Sequence, residues 1–135
     1  MGKLSVSLKD AIAKAELYPL ATASDTGLPN VVPIKFVLIE SDDQLWLVDN
    51  FMGKTLQNLQ QNPVAALNVL IPEDNISIQI KGNTKIVTEG DMYQRMREIV
   101  LKVRPDAPAK SLIVMDITEI FDCWPGKTIG QRLDS

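Results

Sequence analysis

The chain predicts a mainly β protein, an antiparallel barrel of six to seven strands with three peripheral helices, and three observations carry that reading. Short apolar or alternating runs follow one another across tight-turn signals, only three windows show helical spacing, and there is no regular β-α-β alternation. A doubly wound nucleotide fold is thereby disfavoured. With 135 residues, 45% of them apolar, and no internal repeat or long linker, the chain fits one domain, residues 1–135, built on one core.

The elements follow in order. Leu8, Ala11, Ile12 and Ala15 repeat at helical spacing, so a helix is expected near residues 7–16 with Ser7 as its cap and Asp10 three residues on. From Leu17 the period changes. Leu20–Ser24, Asn30–Glu40 and Leu45–Val48 read as strands, separated by Asp25-Thr26-Gly27 and Ser41-Asp42-Asp43, which gives two consecutive hairpins. Lys54–Gln61 carries helix formers with only Leu56 and Leu59 as anchors, and Asn62-Pro63 stops it.

Val64–Ile71 is almost unbroken apolar sequence and reads as a strand buried on both faces. Ile76, Ile78 and Ile80 alternate with Ser77, Gln79 and Lys81, which leaves one polar side. Lys81-Gly82-Asn83 is placed for a tight turn or a bulge into a strand at Thr84–Thr88. Met92, Met96, Ile99, Val100 and Val103 mark a third helix closed by Pro105, and Leu112–Phe121 supplies the last strand. Arg104–Lys110 reads as a connecting loop and nothing more.

Composition narrows the chemistry. There is no histidine, so no Ser-His-Asp triad, Cys-His couple or imidazole metal ligand is available. The single cysteine, Cys123, permits no internal disulfide and suits a reducing compartment as a small buried hydrophobe. A formal charge of −3, with the cationic residues scattered, lacks the footprint of a nucleic-acid binder. No run approaches a membrane span, and Met1–Ser7 has no signal core, so a cytoplasmic protein without nucleic-acid or membrane partners is expected.

The most informative segment is Val48-Asp49-Asn50-Phe51-Met52-Gly53-Lys54-Thr55, where a strand passes through a short loop into a helix. Free N–H groups of a first turn, with an ammonium from Lys54 and a hydroxyl from Thr55, suit an anion such as a phosphate. Taken alone, Lys54 reads first as a solvated helix-start residue, the commoner state of a lysine. Gly53-Lys54-Thr55 is not the end of a P-loop, since Val48 stands where that motif needs glycine. Pro33, inside Asn30–Glu40, removes a ladder donor, so pairing is expected to lapse around Val32–Ile34 and leave backbone groups for a ligand. Lys35 then offers a cation to the same ligand, or simply guards an edge strand against aggregation.

Gly27-Leu28-Pro29-Asn30-Val31-Val32-Pro33-Ile34-Lys35, Leu45-Trp46-Leu47-Val48-Asp49-Asn50, Lys54-Thr55, Leu59, Asn62-Pro63-Val64-Ala65-Ala66-Leu67 and Ile80-Lys81-Gly82 together resemble the pyridoxamine 5′-phosphate oxidase-like, FMN-binding split-barrel superfamily, of the small FMN-binding protein type. The resemblance covers roughly residues 17–90, and the third helix and last strand follow in compatible order. It implies a split barrel and a homodimer with one FMN per subunit at the interface. The flavin ring would lie along Asn30, Val31, Val32, Pro33, Ile34 and Lys35. Lys54 and Thr55 would bind the phosphate, Val48, Asp49 and Asn50 would contact ribityl or phosphate, and Ser77 would meet the ring edge. Trp124 resembles an aromatic that the second subunit lays beside the flavin, and read alone it is interface packing.

Departures shape the expected activity. Authentic pyridoxamine 5′-phosphate oxidases carry an arginine at Asn30, a hydroxyl residue at Asp49 and a C-terminal Arg-His motif, all missing here, so vitamin B6 oxidation is not expected. A carboxylate at Asp49 would repel a phosphate unless it points elsewhere. With no ordinary catalytic side chain, redox chemistry would reside in the cofactor. The resemblance therefore implies an FMN oxidoreductase or electron-transfer flavoprotein with unidentified donor and acceptor. Its rivals are an F420-dependent oxidoreductase of the same fold and a non-catalytic flavin store or binding module.

Overall fold

A computed structural model describes residues 2–134, and within them seven strands form one antiparallel sheet. Helix α1 (Val6–Lys14) leads into strands β1 (Tyr18–Ala23), β2 (Pro29–Ile34), β3 (Val37–Ser41) and β4 (Gln44–Asp49). Helix α2 (Lys54–Gln61), strand β5 (Val64–Ile71), a 3₁₀ turn at Pro72–Asp74, strand β6 (Ile76–Val87), helix α3 (Asp91–Val103) and strand β7 (Ser111–Asp122) follow. Among the described residues no helix is long and apolar enough to cross a membrane.

The strand order is β2-β1-β5-β6-β7-β4-β3, so β2 and β3 form opposite edges of the sheet. Yet only Lys35 and Phe36 separate them in sequence. A two-residue link spans too little distance to join the edges of a flat sheet, so the sheet coils until its edges meet at that link. There the Val48 N–H donates to the Phe36 carbonyl at 3.2 Å. No ladder joins β2 to β3, and the barrel stays split.

This corrects the expectation of one strand over Asn30–Glu40. The chain changes edges at Lys35-Phe36, whereas the β1–β2 ladder runs unbroken from Tyr18–Ile34 to Ala23–Pro29, with Pro19 opposite Pro33. Pairing does not lapse at Val32–Ile34, because an edge strand pairs on one side only and proline's missing donor falls where no ladder is needed. Helix α1 is also capped earlier than expected: the Ser5 hydroxyl, not Ser7, accepts the Leu8 N–H at 3.3 Å.

Lys81-Gly82-Asn83 makes no turn. Strand β6 runs through it, with the register against β7 shifting between Lys81 and Gly82. Lys81 faces Glu119 and Gly82 faces Ile117, so Thr118 is the extra residue of a bulge.

Two apolar clusters lie on the two faces of the coiled sheet. Leu20, Leu67, Ile80, Ile113, Met115 and Ile120 fill the interior together with Leu8, Ile12 and Leu59 from α1 and α2. Outside, Trp46, Val48, Leu112 and Val114 are covered by Met96 and Val100 of α3. Only α3 therefore lies on the outer face, where Arg95 also stacks 4.7 Å from the Trp46 ring. No helix spreads over the outer side of β5. Ala65, Leu67, Val69 and Ile71 are buried, but Val64 and Leu70 are 44% and 41% exposed, so β5 is not buried on both faces as its apolar run suggests.

Candidate functional site

Where the β2 edge and its link pass the end of β4, the split opens a cleft of about 460 Å³, within the range of small-molecule sites. Asn30, Val32, Pro33, Ile34 and Lys35 come from β2 and its link, Val48 and Asn50 from the end of β4, and Lys54 and Thr55 from the start of α2. Residues separated by more than twenty positions meet there because the barrel closes where β2 ends. Phe36, Phe51, Met52, Gly53, Leu17 and Arg104 complete the lining.

The first turn of α2 supplies donors. Its N-cap is Gly53, which offers no side-chain cap, and the turn has no acidic residue. Its leading N–H groups are thus free for a ligand, and the positive end of the helix dipole favours an anion. Lys54 is exposed and Thr55 is buried, with its Oγ1 accepting a hydrogen bond from Asn30 Nδ2 at 3.1 Å. That bond leaves the Thr55 hydroxyl hydrogen available to donate. Lys35, Lys54 and Arg104 all line the cleft, and no carboxylate does. A protein with net charge −3 has concentrated positive charge at one concavity.

Asp49 explains how the cleft stays free of carboxylates. Its side chain is 1% exposed and turned away, with Oδ1 accepting the Met52 N–H at 2.9 Å and Oδ2 accepting the Ser111 hydroxyl at 2.8 Å. Lys110 Nζ lies 3.9 Å from Oδ1. Asp49 thereby fastens the β4–α2 loop to β7 and adds no repulsion at the helix start.

Four of the residues singled out from sequence lie outside this cleft. Asp49 is committed to the loop, and Val31 points to the outer side of β2, where it is 66% exposed. Ser77 accepts from Asn68 Nδ2 at 3.0 Å on the outer side of β6. Trp124 follows β7, its N–H donating to Asp122 Oδ1 at 3.0 Å. Within one subunit these residues do not share a pocket with Lys54.

Sequence reasoning passed over Phe51, Met52, Gly53 and Arg104. The first three sit inside the segment already singled out, so proximity alone was the available signal. Arg104 ends a helix in a stretch read as a mere connection, and nothing local marks it. In the fold, Ala109 N–H donates to Asn50 Oδ1 at 2.8 Å and Lys110 N–H donates to the Asp49 carbonyl at 2.8 Å, which clasps its loop to the cleft wall.

Comparison with known proteins bears on the family and the fold. A family model described as pyridoxamine 5′-phosphate oxidase matches residues 5–124. The chain belongs to the pyridoxamine 5′-phosphate oxidase family. An uncharacterized protein of Methanocaldococcus jannaschii is 32% identical over 137 residues, covering 98% of this chain and 91% of that protein. Among solved structures, HupZ of Group A Streptococcus superposes with a TM-score of 0.82 at 23% identity, covering 94% of this chain and 99% of HupZ. An FMN-binding protein of Syntrophomonas wolfei gives 0.71 at 19% identity over 87% of this chain and 83% of its own. These likenesses attest the split-barrel fold of this family member.

Proposed function

We propose that this member of the pyridoxamine 5′-phosphate oxidase family is an FMN-binding flavoprotein, an oxidoreductase or electron carrier, without pyridoxamine phosphate oxidase activity. The observation that carries the reading is the donor set of the cleft: an uncapped helix start with Lys54 and Thr55, two further cations and no carboxylate. That chemistry fits a phosphorylated ligand, and the FMN-binding protein of Syntrophomonas wolfei shares the fold.

Bound there, the flavin supplies the hydride and electron transfer that no side chain here performs. The protein's part is placement and electrostatics. Lys54, the Thr55 hydroxyl and the leading N–H groups of α2 hold the phosphate. Asn30 fixes the Thr55 oxygen by its hydrogen bond. Val32 and Ile34 give an apolar wall along β2, and Lys35 sets a cation at its end.

The reading includes a homodimer. The outer side of β2, β1 and β5 carries Pro19, Ala21, Val31 and Ala66 around a shallow hollow that Gln79 and Cys123 complete. A second copy docked there would cover it and bring Val31, Ser77 and Trp124, which the cleft of one subunit does not use, to the interface.

The deciding experiment is to purify the protein and release its bound small molecule for absorption and mass spectrometry. A yellow protein releasing FMN in a ratio near one per chain is the expected result. Release of F420 would move the protein to deazaflavin chemistry. Failure of the apoprotein to bind FMN or F420 at micromolar concentration would overturn the reading.

A further inference from the structure

Arg104 is a cation without an assigned task. It forms the C-cap of α3, its N–H donating to the Val100 carbonyl at 2.8 Å, and it lines the same cleft as Lys54. The other arginines of α3 are committed. Arg95 pairs with Glu40, and Arg97 Nη1 donates to the Pro108 and Ala109 carbonyls at 3.1 and 3.0 Å. Among the described residues the Arg104 guanidinium has no such partner.

Its backbone is nevertheless fixed, while the side chain is exposed. The Ala107 N–H donates to the Arg104 carbonyl at 3.1 Å, and Asn50 and Asp49 hold Ala109 and Lys110. Asp49 also holds the Met52 N–H, two residues before Lys54. One short segment, Asp49–Met52, thus registers the Arg104 loop against the start of α2.

Charge balance says what this registration is for. A phosphate monoester carries about −1.5 to −2 at neutral pH, more than the ammonium of Lys54 offsets, and Lys35, the third cation of the cleft, stands five residues along the chain from Asn30, the residue that meets Thr55. The facing strand contributes the uncharged amide of Asn30, which is already occupied with Thr55. A guanidinium presents a planar fork that matches two phosphate oxygens.

We propose that Arg104 is a phosphate-binding residue which, with Lys54, receives a dianionic phosphate monoester and makes the cleft select the phosphorylated form of its ligand over the dephosphorylated one. The inference rests on the flavin reading for the identity of that ligand, and Arg104 becomes its specificity-determining residue.

The test titrates wild-type, Arg104→Gln and Arg104→Lys apoproteins with FMN and with riboflavin, following flavin fluorescence. Arg104→Gln is expected to weaken FMN about tenfold, the scale of one charge-assisted hydrogen bond, and to leave riboflavin unchanged. Arg104→Lys is expected to fall between wild type and Arg104→Gln for FMN. Equal losses for FMN and riboflavin, or no loss for either, would overturn the proposal. If wild type takes up neither flavin, the flavin reading fails on its own. Arg104 is then judged by inorganic phosphate, titrated by phosphorus NMR, where weaker binding by Arg104→Gln upholds the proposal and equal or absent binding overturns it.

Discussion

Asp49 shows how one side chain decides what a site can hold. At the end of β4 a carboxylate facing the cleft would set a negative charge beside Lys54, and burial alone would penalise that charge heavily. The chain meets both demands by giving Asp49 the Met52 N–H, the Ser111 hydroxyl and a nearby Lys110. The conflict was visible in the sequence, but its resolution was not: the Met52 N–H lies only three residues on, whereas Ser111 becomes a partner only when β7 pairs with β4. Asp49→Ala leaves two buried donors unpaired and is expected to destabilise the fold by about 3 kcal/mol. Asp49→Asn, which still accepts a hydrogen bond, should cost less. Urea denaturation checks both, and equal stability of Asp49→Ala and wild type would show that the carboxylate does not hold the loop.

At the scale of elements, legibility follows how local the deciding interaction is. Helix α3 and strand β7 were readable because periodicity and Pro105 mark them within a few residues. The division of Asn30–Glu40 into β2 and β3 was not, because Val31–Val32 and Val37–Leu38 look alike and only barrel closure sends them to different neighbours. Strand β5 misled for a related reason. Three of its four outward residues, Val64, Ala66 and Leu70, are apolar like the inward ones, and the single polar one, Asn68, does not reveal that this side has no covering helix. Gly82 was recognised as special, and its role is a close approach. A Cβ there would stand 2.5 Å from the Asp116 carbonyl oxygen and 2.9 Å from Met115 Cγ, both on β7. Gly82→Ala should therefore push β6 from β7 at the bulge and cost about 1–3 kcal/mol, the usual scale of overpacking. A thermal midpoint within error of wild type would mean that the bulge relaxes freely.

For the whole molecule, the uneven covering of the sheet is the feature that sequence patterning misread. Helix α3 shields the outer side of β4 and β7, while β1, β2 and β5 present Ala21, Val31 and Ala66 to solvent. Across that bare face Ala21 pairs with Val31 on one side and Ala66 on the other. Such small, flat neighbours let another surface approach closely, and a stable association needs about 800 Å² from each partner. Ala21 is at the centre of the face and points away from the interior cluster, so a glutamate there would meet a docking copy with two buried like charges while leaving the barrel core untouched. Light scattering is expected to show wild type at twice its 15.0 kDa chain mass and Ala21→Glu at that mass, with matching circular dichroism. Because the dimer would bring Trp124 and Ser77 of a second copy to the flavin, Ala21→Glu should also weaken FMN binding, although it touches no residue of the cleft. A wild-type monomer at micromolar concentration would remove the second copy's contribution from the site, and the cofactor would then have to be held by the cleft of one chain alone.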